Sequence, residues 1–168
     1  MEQYNTKLGK MYLADSIDFL TSSDERIDVI ITDPPYGVNV DYEGTFDDTF
    51  ENWCQLMHEW LPLAISRTTK GVIFPPGGLE QEIYLLKNFD APKWRLCWYK
   101  GSQEQRSPVG FKHYEQIYIY GDSKSQCGDY FYASPGVFLR RLKHPCPKPL
   151  KFFEWLISKF STEEDIVC

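Results

Sequence analysis

One stretch limits what this chain can become: Asp28-Val29-Ile30-Ile31-Thr32-Asp33-Pro34-Pro35-Tyr36-Gly37. A β-branched apolar run that passes straight into a carboxylate, two prolines and an aromatic reads as a buried parallel strand ending at a rigid turn. In an open α/β sheet, ligands bind at the carboxyl ends of the strands. This end presents an acceptor, carbonyls whose geometry the prolines fix, and a flat ring. Those are the parts needed to hold an amino group on a planar base.

The rest of the chain supplies alternating elements. Met11–Ala14 is a short apolar run, followed by a helix with a Ser16 cap and an acidic first turn through Leu20. A polar loop from Asn39 to Asp48 follows the strand turn and has the character of a mobile lid. From Thr49 a 3.6-residue apolar period marks an amphipathic helix whose aromatics belong to the core. Gly71–Phe74 is a strand stopped by Pro75-Pro76-Gly77-Gly78, and Leu79–Asn88 is a helix with Ile83, Leu86 and Phe89 on one side. Trp94–Tyr99 and Glu115–Tyr120 are aromatic-rich strands around the polar, flexible loop Lys100–Lys112, and Gly121–Leu142 is irregular. A helix runs from Phe152 to Phe160, and Asp165-Ile166-Val167-Cys168 opens another buried strand. The expectation is one α/β domain over residues 1–168, Rossmann-like, with a mostly parallel sheet and helices on both faces.

Composition narrows the function classes. At 168 residues and 42% hydrophobic, the chain supports one real core. It has no long apolar span and no basic or apolar leader at Met1-Glu2-Gln3-Tyr4-Asn5, so a cytoplasmic protein with no membrane partner is expected. Five scattered cysteines without C-x-x-C spacing suggest neither a disulfide framework nor a metal site. The net charge of −6 is unevenly spread. Ala14–Glu51 is heavily acidic against Arg26 alone. Lys93–Lys112 is basic against Glu104 alone, and Val137–Lys151 carries Arg140, Arg141, Lys143, Lys148 and Lys151 with no acid. Lys100, Arg106, Lys112, Arg140 and Arg141 are the candidate phosphate-gripping residues, the alternative being two solvated faces.

The chemistry of Asp33-Pro34-Pro35-Tyr36 follows from the electronics of an exocyclic amine. On adenine or cytosine that nitrogen is a poor nucleophile, because its lone pair is delocalised into the ring. Two acceptors aimed at its two N–H bonds favour a pyramidal nitrogen, so stabilisation grows towards the transition state. The Asp33 carboxylate supplies one acceptor, the Pro34 carbonyl the other, and Tyr36 a face on which the base stacks. A duplex buries the amine, so the base must be flipped out to arrive, at a cost of roughly a few kcal/mol. The plain alternative is a strand-ending turn, with Asp33 capping a backbone N–H and Tyr36 packed on Pro35.

Asp33-Pro34-Pro35-Tyr36 resembles the catalytic motif of the S-adenosylmethionine-dependent DNA amino-methyltransferases, of the permuted group in which the catalytic half precedes the cofactor half. Met11–Leu20 with Asp15 resembles that family's acidic segment facing the cofactor's adenine. Trp98-Tyr99-Lys100 and Tyr114-Glu115-Gln116-Ile117 resemble its later strands. His144-Pro145-Cys146-Pro147-Lys148-Pro149-Leu150, with the helix after it, is similar to the segment lining the methionine end of the cofactor pocket. The resemblance implies Asp33, Pro34, Pro35 and Tyr36 as catalytic residues. It implies Asp15, Asp33, Lys148 and Pro149 as residues facing S-adenosylmethionine, with Lys148 as a solvated lysine the alternative. An Asp in the first motif position implies adenine N6 as the acceptor; a Ser is commoner in cytosine N4 enzymes.

The family pattern continues, after a strand such as that at Ile166, into a Phe-x-Gly-x-Gly cofactor loop that this sequence lacks. It also places that missing strand beside Met11–Ala14, which is expected to lose its neighbour. Three expectations follow: a fragment of a longer product, half of a split enzyme completed by a second chain or a homodimer, or a non-catalytic module that binds DNA.

Overall fold

A computed structural model describes residues 2–101, 105–107, 109–122, 128–134 and 147–168. In chain order the elements are β1 (Glu2–Asn5), β2 (Lys10–Leu13), α1 (Ser16–Ser22), β3 (Ile27–Ile31), α2 (Phe50–Ser66), β4 (Thr68–Phe74), α3 (Leu79–Asn88), β5 (Trp94–Tyr99), β6 (Gln105–Ser107), β7 (Gly110–Lys112), β8 (Tyr114–Tyr120), β9 (Tyr130–Tyr132) and α4 (Leu150–Phe160).

Five strands form the central sheet in the order β3-β4-β8-β5-β9. The β3–β4 and β5–β9 pairs are parallel, whereas β8 runs antiparallel to both β4 and β5. Four strands therefore share one direction and β8 alone is reversed. Strand alternation sends side chains to two cores. Ile30, Val72, Phe74, Tyr118 and Tyr120 meet Leu20 of α1, Trp53, Met57, Trp60 and Leu61 of α2 and Leu85 of α3. Val29, Ile31, Ile73, Leu96, Trp98, Ile117 and Ile119 meet Phe152, Leu156 and Phe160 of α4. Each such fully buried side chain contributes about 1.5–3 kcal/mol of transfer free energy, so the two-faced apolar pattern holds α1–α3 on one side and α4 on the other.

Several local expectations are corrected. The Met11–Ala14 run forms β2, but its described partner is β1 in an antiparallel hairpin outside the central sheet. Its side chains are largely exposed, Leu13 among them, and only Tyr12 packs inward, on Phe19. The α1 cap is Asp15 rather than Ser16, with Oδ1 accepting from the Ile17 and Asp18 amides at 2.8 and 3.1 Å. On α3, Ile83 and Leu86 face solvent, while Gln81, Glu82 and Leu85 are buried. Burial pushes the Glu82 carboxyl up, and Tyr118, whose hydroxyl donates to it at 3.3 Å, is pushed up to about 12, chiefly by burial. The Lys100–Lys112 loop contains the β6–β7 hairpin, and the Gly121–Leu142 stretch contains β9.

The last residues lie alongside β3 through a parallel bridge between Val29 and Val167. The amides of Asp28 and Ile31 donate to the carbonyls of Ile166 and Cys168, the Cys168 amide returns a bond to Val29, and Ile166 stays 45% exposed. Asp28 is the polar knot of this pairing, fully buried inside an apolar strand. One oxygen accepts from the Arg26 guanidinium at 2.8 and 3.1 Å and from the Thr69 hydroxyl at 2.6 Å; the other accepts from the Ile166 amide at 2.9 Å. Led by the Thr69 hydroxyl, these bonds outweigh burial and hold the carboxyl below the usual carboxylate range. Asp28→Ala is expected to cost about 3 kcal/mol in urea unfolding at neutral pH, by stranding these donors. Because the folded-state pKa is depressed, Asp28's contribution is complete above about pH 4 and is lost as the pH falls through the folded value. The gap between the two proteins should therefore narrow in acid.

Among the described residues no helix is long and apolar enough to cross a membrane, no metal-binding cluster of His, Cys, Asp or Glu occurs, and Cys54, Cys97 and Cys168 are free thiols.

Candidate active site

The turn after β3 is fixed from three directions. The Gln81 side-chain amide at the start of α3 donates to the Tyr36 carbonyl at 2.7 Å, while its oxygen accepts from the Gly78 amide at 3.1 Å. Asp48, buried just before α2, accepts from the amides of Gly37, Val38 and Val40 at 2.6, 3.1 and 3.0 Å. Gly37 holds φ +64° with its Cα against α2, where an added Cβ would lie 2.7 Å from the Cβ of Trp53. The Asn39–Asp48 loop, expected as a mobile lid, is thus pinned at its base by one carboxylate, and the Asn39 amide closes it on the Asp48 carbonyl at 2.7 Å.

The reversed strand brings a second carboxylate to the same place. Because β8 is antiparallel, its first residues lie level with the end of β5, and Glu115 pairs with Trp98. Asp33 Oδ2 lies 3.0 Å from Lys148 Nζ, and Asp33 Oδ1 accepts from the Tyr36 hydroxyl at 2.9 Å. Glu115 Oε2 lies 3.5 Å from the Tyr36 hydroxyl and 3.8 Å from Lys148 Nζ, while Glu115 Oε1 is paired with Lys100. Lys148 sits over the Tyr36 ring at 4.8 Å and Lys100 over the Trp98 ring at 4.9 Å, both at cation–π distance. All four charged side chains are at most 20% exposed.

Asp33, Pro34, Pro35, Tyr36 and Lys148 line one cavity of about 280 Å³, together with Val38 and with Val40 and Tyr42 from the pinned loop. A larger groove of about 760 Å³, between α3 and the outer strands, touches none of the motif residues. Pro149 is the N-cap of α4, next to Lys148. Asp15 is not in this cavity, its carboxylate being engaged with its own helix.

Of the residues proposed for phosphates, Lys100 is turned inward onto Glu115, because burying that carboxylate requires a cation beside it. Lys112 lies within electrostatic reach of Glu82. Arg106 is in β6, in register with Phe111, and Arg140 and Arg141 lie outside the described residues. Sequence reasoning missed Gln81, Asp48 and Glu115 as parts of the site. Only Glu115, inside a segment already matched to a family strand, carried any signal.

No family model matches the chain. The type II methyltransferase M.BamHI of Bacillus amyloliquefaciens is 29% identical over 94 residues, which make up 54% of this chain and 19% of that protein. The chain thus matches only a minor part of that relative's length. Among solved structures, PvuII DNA methyltransferase, described as cytosine-N4-specific, superposes with a TM-score of 0.70 at 16% identity, over 98% of this chain and 74% of its own. The M1.HpyAVI–SAM complex superposes at 0.55 with 20% identity, over 93% and 79%. At these identities the structures establish the shared α/β fold. The Asp-Pro-Pro-Tyr turn at the carboxyl end of β3 thus sits in an α/β fold that this chain shares with solved DNA methyltransferases, and the chain is similar in sequence to part of another.

Proposed function

We propose that this chain carries the base-receiving site of a DNA methyltransferase, which transfers a methyl group from S-adenosylmethionine to the N6 amine of a flipped-out adenine. The observation that carries the reading is the cavity at the end of β3, where the Asp33 carboxylate and the Tyr36 ring line one wall beside buried Lys148. A base stacked on Tyr36 directs its exocyclic amine at Asp33, whose carboxylate accepts one N–H bond while the Pro34 carbonyl accepts the other, which favours the pyramidal, nucleophilic nitrogen. At about 280 Å³ the cavity falls just below the roughly 300–1,000 Å³ of ordinary small-molecule sites, which suits a single base. Lys148, a buried ammonium next to the α4 N-cap, fits the carboxylate of the cofactor's methionine end. S-adenosylmethionine, when bound, supplies an electrophilic methyl group. Asp15, implied for the adenosyl end, is committed to α1 and does not line this cavity.

The acid in the first motif position supports adenine. The cytosine-N4 description of the PvuII structure supports cytosine as the second reading. The test is to incubate the protein with S-adenosylmethionine and genomic DNA, digest the DNA, and analyse the nucleosides by mass spectrometry. N6-methyldeoxyadenosine is expected. N4-methyldeoxycytidine would replace the target base, and neither product would leave a DNA-binding module without transfer activity.

A further inference from the structure

Both donors that now occupy Asp33 have a second acceptor within reach, and it is the same atom. The Tyr36 hydroxyl lies 2.9 Å from Asp33 Oδ1 and 3.5 Å from Glu115 Oε2; Lys148 Nζ lies 3.0 Å from Asp33 Oδ2 and 3.8 Å from Glu115 Oε2. With both its oxygens engaged, Asp33 is unready to accept an amine. Its cation sits over the ring on which a base would stack. From this geometry we infer that Glu115 is a positioning residue, the alternate acceptor that unloads Asp33 when a base enters.

This inference rests on the base-site reading above. Rotation of the Tyr36 hydroxyl about its C–O bond turns its proton from Asp33 to Glu115. A shift of Lys148 by about 0.8 Å, the difference between the two ion-pair distances of 3.8 and 3.0 Å, brings its ammonium into full contact with Glu115 Oε2. The cation is not stranded, because it exchanges one buried carboxylate for another, and the N–H bonds of the incoming amine replace it at Asp33. Lys100 pairs with the opposite oxygen, Oε1, and so keeps Oε2 turned towards Asp33. Glu115 reaches this position through the reversal of β8, which sets it on the α4 face beside the residue that precedes the helix. Removing the carboxylate leaves Lys148 with Asp33 as its one remaining ion-pair partner among the described residues. The amine must then compete with a buried ion pair.

The test compares two nucleosides that differ in that amine alone, 2′-deoxyadenosine and its analogue with hydrogen at C6, titrated into the full chain by ligand-observed NMR. Wild type is expected to favour the amine about tenfold, the worth of one hydrogen bond to a charged acceptor. Glu115→Gln, nearly isosteric, is expected to bring that ratio close to one. Glu115→Asp should restore part of it, and the pair Glu115→Gln with Lys148→Gln should restore most of it, because the competing cation is gone. A structural defect would weaken both nucleosides alike and would not be repaired by a second substitution. If wild type favours the amine and E115Q favours it equally, or if the double variant fails to recover the preference, the inference is overturned while the base site stands. If wild type takes neither nucleoside, the base site falls and the inference with it.

Discussion

Replacing Asp33 with alanine is expected to lower methyl transfer by about two to three orders of magnitude while leaving the fold intact. The size follows from what is removed: a charged acceptor in a partly water-excluded site, the kind of group whose loss costs about 3–4 kcal/mol of transition-state stabilisation. Stability should change little, because the Asp33 side chain packs in neither apolar core and Lys148 retains Glu115 as a partner at 3.8 Å. Asp33→Asn separates charge from geometry. The amide still offers one oxygen but no longer attracts Lys148, so its loss of rate is expected to be smaller than that of alanine. Single-turnover transfer to DNA, followed by nucleoside analysis and with thermal melting as a control, checks both. A D33A protein that melts normally and keeps more than a tenth of the wild-type rate would remove Asp33 from the chemistry.

What the sequence made legible is whatever its periodicity encodes. Apolar runs placed β5 over Trp94–Tyr99 as observed, and the 3.6-residue period placed α2 after Thr49, which is its N-cap. The proline pair after a β-branched run marked the strand end, where the candidate site lies. The residues that complete the site were not legible, because the contacts that give them roles span the chain: Gln81 reaches Tyr36 across 45 positions and Glu115 reaches Tyr36 across 79. The inverted face of α3 has the same cause. Ile83 and Leu86 look like the core side, but holding the Tyr36 carbonyl requires Gln81 to point inward, and a helix cannot satisfy both faces at once. The reversal of β8 was equally hidden, since alternation fixes faces and not direction. That reversal is what delivers Glu115.

The second large effect concerns this same strand. Gly71→Ala is expected to destabilise the protein by about 4 kcal/mol or more, enough to prevent folding in a domain of ordinary stability. Gly71 holds φ +140°, and a Cβ built there would lie 2.0 Å from the Tyr120 carbonyl oxygen, a backbone atom that cannot swing aside. The approach is reciprocal. A Cβ on Gly121, at φ +105°, would lie 2.6 Å from the Gly71 Cα and 2.5 Å from the Lys70 carbonyl. The two glycines let β4 and the end of β8 pass closer than any side chain allows, beside the Val72–Tyr120 pairing. Forcing them apart would shift β8 along its length, including Glu115 at its other end. A weaker substitution makes the connection measurable: Gly121→Ala, if soluble, should melt well below wild type. In the nucleoside titration it should also lose part of its preference for the amine, since displacing Glu115 leaves Lys148 on Asp33. A Gly71→Ala protein that melted within a few degrees of wild type would show that this close approach does not hold the two strands in register.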